Sequence, residues 1–97
     1  MRVYERFEPR GYGGVQHPGT LYKGAEVLLR REAGNRKDKN ATRILCEGES
    51  CGWVPHELAA KIAVHIDRGS RVDICVVDDY DDIIVLEVEY PLHTKRS

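Results

Sequence analysis

The sequence lacks the features of several large protein classes. None of its apolar runs approaches the roughly 18 residues that a membrane helix requires, and its first six residues carry charges where a signal peptide needs an apolar stretch. Three cysteines are an odd number and too few for the disulfide framework of a small secreted domain. We therefore expect free thiols, a cytoplasmic location and no association with a membrane.

Catalytic motifs are also missing. The chain has no phosphate-binding glycine loop, no His-Glu-x-x-His motif and no Ser-His-Asp arrangement. Its 97 residues allow one small domain, and 41% hydrophobic with 32% charged residues is typical of a globular chain. These observations predict a single domain over residues 1–97 that binds a partner without a cofactor, and not an enzyme.

Charge is distributed unevenly along the chain although the net charge is only -1. Residues 1–43 contain ten Lys/Arg and five Asp/Glu, whereas residues 44–97 contain five and eleven. Six basic residues fall within fourteen positions: Arg30, Arg31, Arg36, Lys37, Lys39 and Arg43. Clustered basic side chains can neutralise phosphates, so this segment is the candidate surface for a nucleic acid. Charges that merely solvate the surface are the alternative.

The predicted elements are strands, then one helix, then strands. Extended segments are expected at 14–17, 26–31, 41–46, 51–54, 72–77 and 84–90. A helix is expected at about 55–68, because Pro55 suits a first helical position and Gly69 a C-terminal cap. Its apolar stripe consists of Leu58, Ala59, Ile62, Ala63 and Ile66. Such a short α+β chain predicts a small barrel with the helix across one end.

Two stretches carry most of the information. The first contains Arg31-Glu32, Asn35, Asp38 and Asn40-Ala41, and the second contains Gly52-Trp53-Val54-Pro55 and Glu57-Leu58-Ala59. In this order the residues resemble the HIRAN domain family, with a core at about 14–90 and a flexible tail at about 92–97. The resemblance implies a six-strand barrel related to oligonucleotide-binding (OB) and SH3-like barrels, with one main helix.

The same resemblance implies a stand-alone module that binds single-stranded DNA, favours a free 3′ end and works in DNA repair or replication beside a DNA-processing ATPase or nuclease. The positions carried over are Asp38 with Lys37, Trp53, and the Gln16-His17 segment. Lys37 stands where the family often has an aromatic residue. Together with the basic residues nearby, the predicted binding residues are Gln16, His17, Arg31, Arg36, Lys37, Asp38, Lys39 and Trp53.

Each role has a physical basis in its side chain. The Asp38 carboxylate would repel a phosphate, but it can accept a hydrogen bond from a terminal sugar hydroxyl. The basic side chains would contact phosphates, and Trp53 or His17 would stack on a base.

Three alternatives remain open at this point. A small barrel could instead bind a protein partner through a sheet edge, with no nucleic acid. The acidic segment 78–82 could serve a metal-dependent nuclease, although it lacks the spacing of a calcium loop. Cys46, Cys51 and His56 could bind zinc, although the Cys-x₄-Cys-x₄-His spacing is not a usual zinc pattern.

Overall fold

The computed structural model describes residues 1–11 and 21–92, with residue 82 described by its backbone alone. The strands are Arg2–Phe7 (β1), Val27–Arg31 (β2), Thr42–Cys46 (β3), Glu49–Trp53 (β4), Asp73–Asp78 (β5) and Val85–Pro91 (β6), the α-helix is His56–Asp67 (α1), and a 3₁₀ turn spans Tyr80–Asp82. The first sheet has the order β1-β6-β5 and the second β2-β3-β4, with antiparallel pairing throughout. Gln16, His17 and the predicted strand at 14–17 lie outside the described residues, as does most of the predicted tail.

The helix confirms its prediction to within one residue at each end. Pro55 takes the extended conformation that precedes a helix, and its carbonyl accepts the first helical hydrogen bond from Ala59 N–H at 2.8 Å. Gly69 ends the helix with φ +80 and donates its N–H to Ile66 O at 3.0 Å. The buried face includes most of the predicted apolar stripe. No helix among the described residues is long and apolar enough to cross a membrane.

The core lies where the inner faces of both sheets meet the apolar face of α1. Ile44 from the second sheet, Ile62 from α1, and Leu86 and Val88 from the first sheet have no exposed surface. Alternation along β3 and β6 places Ile44, Leu86 and Val88 inward and the intervening side chains outward. One continuous core therefore supports both sheets.

The α+β class and the number of six strands are confirmed, five of them at the expected places, but the strands do not form a closed barrel. The strands are divided between two sheets, which are joined near Trp53 by an isolated bridge to Arg10, with N···O distances of 2.8 and 2.9 Å. Pro9 lies between Arg10 and the end of β1. Because proline has no N–H to donate to a ladder, continuous pairing from β1 into β4 is interrupted.

Strand β1 was not predicted, and it lies before the expected core of 14–90. The charged residues that alternate along β1 make it difficult to recognise as a strand from the sequence alone. In the structure, Arg2 and Arg6 on one face reach glutamates of β6, whereas Val3 and Phe7 on the other face pack against the core. The first strand therefore begins at Arg2, well ahead of the segment that carries the HIRAN motif.

Candidate nucleic-acid interface

The segment between β2 and β3 is a turn held by its own side chains. Asn35 Oδ1 accepts hydrogen bonds from the backbone N–H groups of Lys37 at 2.9 Å and Asp38 at 3.0 Å. Asp38 Oδ1 accepts one from Asn40 N–H at 2.9 Å, and Asp38 O accepts another from Ala41 N–H at 3.0 Å. Such local bonds give a loop one preferred conformation, so the Asp38 side chain is presented in a fixed direction.

The free oxygen of that carboxylate meets the start of the helix. His56, the first residue of α1, places Nδ1 2.8 Å from Asp38 Oδ2 and donates its proton there. This hydrogen bond, followed by the one from Asn40 N–H, holds the pKa of Asp38 below its ordinary value of 3.8. The carboxylate is therefore ionised at neutral pH and keeps its capacity to accept further hydrogen bonds.

A groove of about 420 Å³ opens between this turn and β4. Its polar and aromatic lining consists of Arg10, Asn35, Lys37, Asp38, Trp53 and His56, with Ala41 and Val54 at its floor. The imidazole of His56 is 74% exposed, whereas the Asp38 carboxylate is 22% exposed. The groove therefore combines cationic side chains, one oriented carboxylate and one indole on a concave surface.

A β-bulge brings Trp53 to this surface. Trp53 pairs with Arg43 and Ser50 pairs with Leu45, so β4 has one residue more than β3 between these pairs. Strict alternation would place Trp53 on the core side, and the extra residue moves it to the outer side. Gly52 makes the bulge feasible, because its φ of +107 is disfavoured for other residues.

The indole is held in place from two directions. The guanidinium carbon of Arg43 lies 4.3 Å from the centroid of the Trp53 ring. Glu32 Oε2 accepts a hydrogen bond from Arg43 Nε at 2.6 Å and so fixes the stacked guanidinium. Gly11 approaches the indole so closely that a Cβ at that position would lie 3.3 Å from Trp53 Cδ1. Trp53 is therefore a rigid wall of the groove.

The structure brings together three of the predicted binding residues: Lys37, Asp38 and Trp53 line the groove. Arg36 and Lys39 are exposed on the same turn, outside the lining. Gln16 and His17, in the first expected strand, lie outside the described residues.

Arg31 has a different environment from the one expected of a phosphate ligand. Its guanidinium forms a bidentate pair with Asp67 at 3.0 and 3.1 Å, at the end of α1. It also donates to the carbonyls of Ala41 at 2.7 Å and Lys39 at 2.9 Å. With a side chain only 11% exposed, Arg31 ties the Asp38 turn to the helix.

Arg10 and His56 are functional candidates that sequence reasoning missed. Arg10 reaches the groove only through its backbone bridge to Trp53, which no local pattern announces. In the sequence, His56 is a candidate only as a zinc ligand. Its position immediately after the Gly-Trp-Val-Pro step was the available signal, since the first turn of a helix often faces a ligand site.

The cysteines and acidic residues form no metal site among the described residues, where no three His, Cys, Asp or Glu side chains lie close enough together to hold an ion. Cys46 and Cys51 are buried in the core, whereas His56 points to Asp38 at the surface. Burial raises the pKa of the Cys46 thiol. The three residues of the zinc alternative are therefore not brought together.

Comparison with known proteins gives this groove a context. The family model of the HIRAN domain matches residues 11–93. The chain belongs to the HIRAN domain family. This confirms the resemblance seen in the sequence, and HIRAN domains are nucleic-acid-binding modules rather than catalytic domains.

Two solved structures share the fold of this HIRAN domain. The crystal structure of the HIRAN domain of human HLTF is similar with a TM-score of 0.70 and 19% identity, covering 92% of this chain and 74% of that one. A crystal structure of a protein from Lactobacillus plantarum is similar with a TM-score of 0.67 and 22% identity, covering 94% of this chain and 100% of that one. No curated protein matches the chain by sequence. At these identities the two structures establish the fold alone.

Proposed function

We propose that this HIRAN domain binds single-stranded DNA in the groove and holds the 3′-terminal nucleotide at the Asp38–His56 pair. The observation that carries the proposal is an oriented carboxylate, 2.8 Å from an imidazole nitrogen, in a groove that also contains Lys37 and Arg10. A carboxylate repels the phosphates of an internal nucleotide. It accepts a hydrogen bond from the hydroxyl that only a strand terminus leaves free.

The cationic side chains beside Asp38 attract the phosphates of DNA, which the carboxylate alone would repel. Lys37 precedes Asp38 in the turn, and Arg10 lies on the other side of the groove next to Trp53. Each phosphate that they neutralise releases counterions, so affinity falls as salt concentration rises. His56 donates its Nδ1–H to Asp38 and has an exposed ring, so the rest of the imidazole can contact the terminal sugar.

Trp53 contributes a rigid apolar surface for the base or sugar at the terminus. Since Arg43 already covers the ring, the part of the indole that lines the groove is the part offered to DNA. A preordered aromatic wall loses little conformational entropy on binding. Capture of 3′ ends would suit work beside a DNA-processing ATPase or nuclease in repair or replication.

The decisive experiment compares oligothymidines that differ only at the 3′ terminus, with a hydroxyl or a phosphate, by fluorescence anisotropy at two salt concentrations. We expect tighter binding of the hydroxyl form, and we expect Asp38→Asn to reduce this preference. Lys37→Glu should weaken binding and lower the salt dependence by about 0.7 in the logarithmic slope. Lys39→Glu, on the same turn but outside the groove, is the matched control and should have a smaller effect.

Two results would contradict the proposal. If the folded protein binds no oligonucleotide at low salt, a protein partner at a sheet edge becomes the better explanation. If both termini bind equally and Lys37→Glu resembles Lys39→Glu, DNA is bound elsewhere on the surface.

A further inference from the structure

The outer face of the second sheet continues from the groove through Trp53. Cross-strand neighbours on this face form two rows, which are Arg30, Arg43 and Trp53, and Leu28, Leu45 and Ser50. We call the first of these the basic row. Because neighbouring strands lie about 4.8 Å apart, the basic row extends roughly 10 Å away from the wall of the groove.

Side chains on this face point away from the core. Val27 is buried and Leu29 packs against the core, whereas the intervening Leu28 is 59% exposed and the Arg30 side chain is 60% exposed. Leu28 is thus a large apolar side chain held in solvent beside two arginines. Exposed apolar and cationic side chains on a sheet surface suit a ligand that has both flat apolar rings and negative charge.

The positive charge of the basic row is reduced by one carboxylate. Glu32 Oε2 lies 2.6 Å from Arg43 Nε and 3.9 Å from Arg30 Nη2. One carboxylate therefore serves two guanidinium groups, which leaves an excess of one positive charge among these three side chains. The same contact keeps Arg43 flat against Trp53, and a guanidinium plane held in this way is itself a surface on which bases stack.

We propose that the nucleotides on the 5′ side of the one in the groove cross the outer face of the second sheet along the basic row. This inference rests on the proposed function of the groove and extends it to the length and path of the ligand. Arg30 contacts a phosphate, while Leu28 and Leu45 contact bases. The strand enters this face at the Arg43–Trp53 stack, which borders both surfaces. A sheet face that carries cationic and apolar side chains can bind a single strand through its phosphates and bases.

Oligonucleotide length separates the two surfaces experimentally. An oligothymidine of about 3 nucleotides fills the groove alone, and one of about 12 also reaches the sheet face, within the site sizes typical of OB folds. Arg30→Glu should weaken binding of the longer oligonucleotide about tenfold and leave the shorter one unchanged. Arg71→Glu, the same charge change at an exposed arginine beside the first sheet, is the matched control and should affect both lengths equally and weakly.

A second variant predicts the opposite sign and so excludes an effect of misfolding. Glu32→Gln keeps a hydrogen-bond acceptor for Arg43 and removes the negative charge, so binding of the longer oligonucleotide should become tighter. The inference is overturned if the shorter oligonucleotide binds normally while Arg30→Glu weakens the longer one no more than Arg71→Glu does. If wild-type protein does not bind the shorter oligonucleotide and Lys37→Glu changes nothing, the groove proposal has failed instead.

Discussion

The two sheets use charged outer faces in different ways. On the first sheet, Arg6 of β1 lies directly opposite Glu87 of β6 with an N···O distance of 3.2 Å, and Arg2 reaches Glu89 at 2.9 Å. On the second sheet, Arg30 of β2 lies opposite another arginine, Arg43 of β3. Opposite charges across strands stabilise strand pairing and like charges weaken it. The pairing of β2 with β3 is therefore less favourable on the outer face, which adjoins the groove.

This difference between the two sheets indicates which outer face is the better candidate for binding. Both sheets contribute fully buried side chains to the same core, so neither is dispensable for folding. On the outer face of the first sheet, arginine and glutamate side chains form ion pairs with one another. Around Trp53 on the second sheet, the arginines outnumber the Glu32 carboxylate that pairs with them. We infer that the first sheet is mainly structural and that the second combines structure with binding.

The largest expected effect tests the structural role of the first sheet. Leu86 has no exposed surface and lies between Phe7 of β1 and Val76 of β5. Leu86→Ala should lower the free energy of unfolding by about 2–5 kcal/mol, measured by urea denaturation. The affinity of the folded fraction for single-stranded DNA should stay at the wild-type value. A loss of affinity beyond the unfolded fraction would mean that the first sheet takes part in binding.

The next effect tests whether the bulge of the second sheet positions the indole. Gly52→Ala places a side chain at φ +107 and should cost roughly 1–3 kcal/mol of stability. Trp53 is the single tryptophan, so its fluorescence reports its environment directly, and both the emission maximum and DNA affinity should change. Gly34→Ala is the matched control, because a Cβ there meets open space. Unchanged emission in Gly52→Ala would separate the bulge from the site.

Sequence reasoning was most successful where the determinants are local. The helix was predictable because Pro55, the apolar stripe and Gly69 all lie within a few turns of one another. The Asp38 turn was predictable as a turn, since Asn and Asp bond to nearby backbone. In contrast, β1 is recognisable only beside the glutamates of β6, more than 80 residues later in the sequence.

The site itself could be predicted only in part, for the same physical reason. Asp38 and Trp53 are predictable because they belong to a motif, and Lys37 because it precedes Asp38 in the basic turn. The Asp38–His56 contact spans 18 positions and requires the helix to begin against the turn, and Arg10 enters through a backbone bridge. Arg31 shows the reverse situation, because a charge that is available by sequence alone is hydrogen-bonded to Asp67 and two carbonyls in the structure. Sequence shows which charges exist, whereas folding decides which are left unpaired.

A smaller effect is expected at alkaline pH, where ionisation of Tyr90 in the first sheet should lower the free energy of unfolding. Burial, and then a hydrogen bond to Glu5, raise the pKa of Tyr90 to about 12 from 10.0. The unfolded chain ionises first, so this stabilisation is complete below pH 10 and is lost as pH rises towards 12. The loss should be on the order of 1–2 kcal/mol. In Tyr90→Phe, unfolding free energies measured across this range should fall less steeply, and equal slopes would contradict the assignment.

The smallest expected effect addresses the contrast between the two faces most directly. Arg6 is an arginine on the outer face of the first sheet, with a side chain 67% exposed and paired to Glu87. Because exposed ion pairs contribute little, Arg6→Gln should change the free energy of unfolding by no more than about 1 kcal/mol. DNA affinity and its salt dependence should stay at wild-type values.

Arg43→Gln removes the same charge from the second sheet, and it should weaken DNA binding by releasing the Trp53 indole. If Arg6→Gln weakened DNA binding as much as Arg43→Gln does, overall charge would govern the interaction. The inference that only the second sheet takes part in binding would then be wrong.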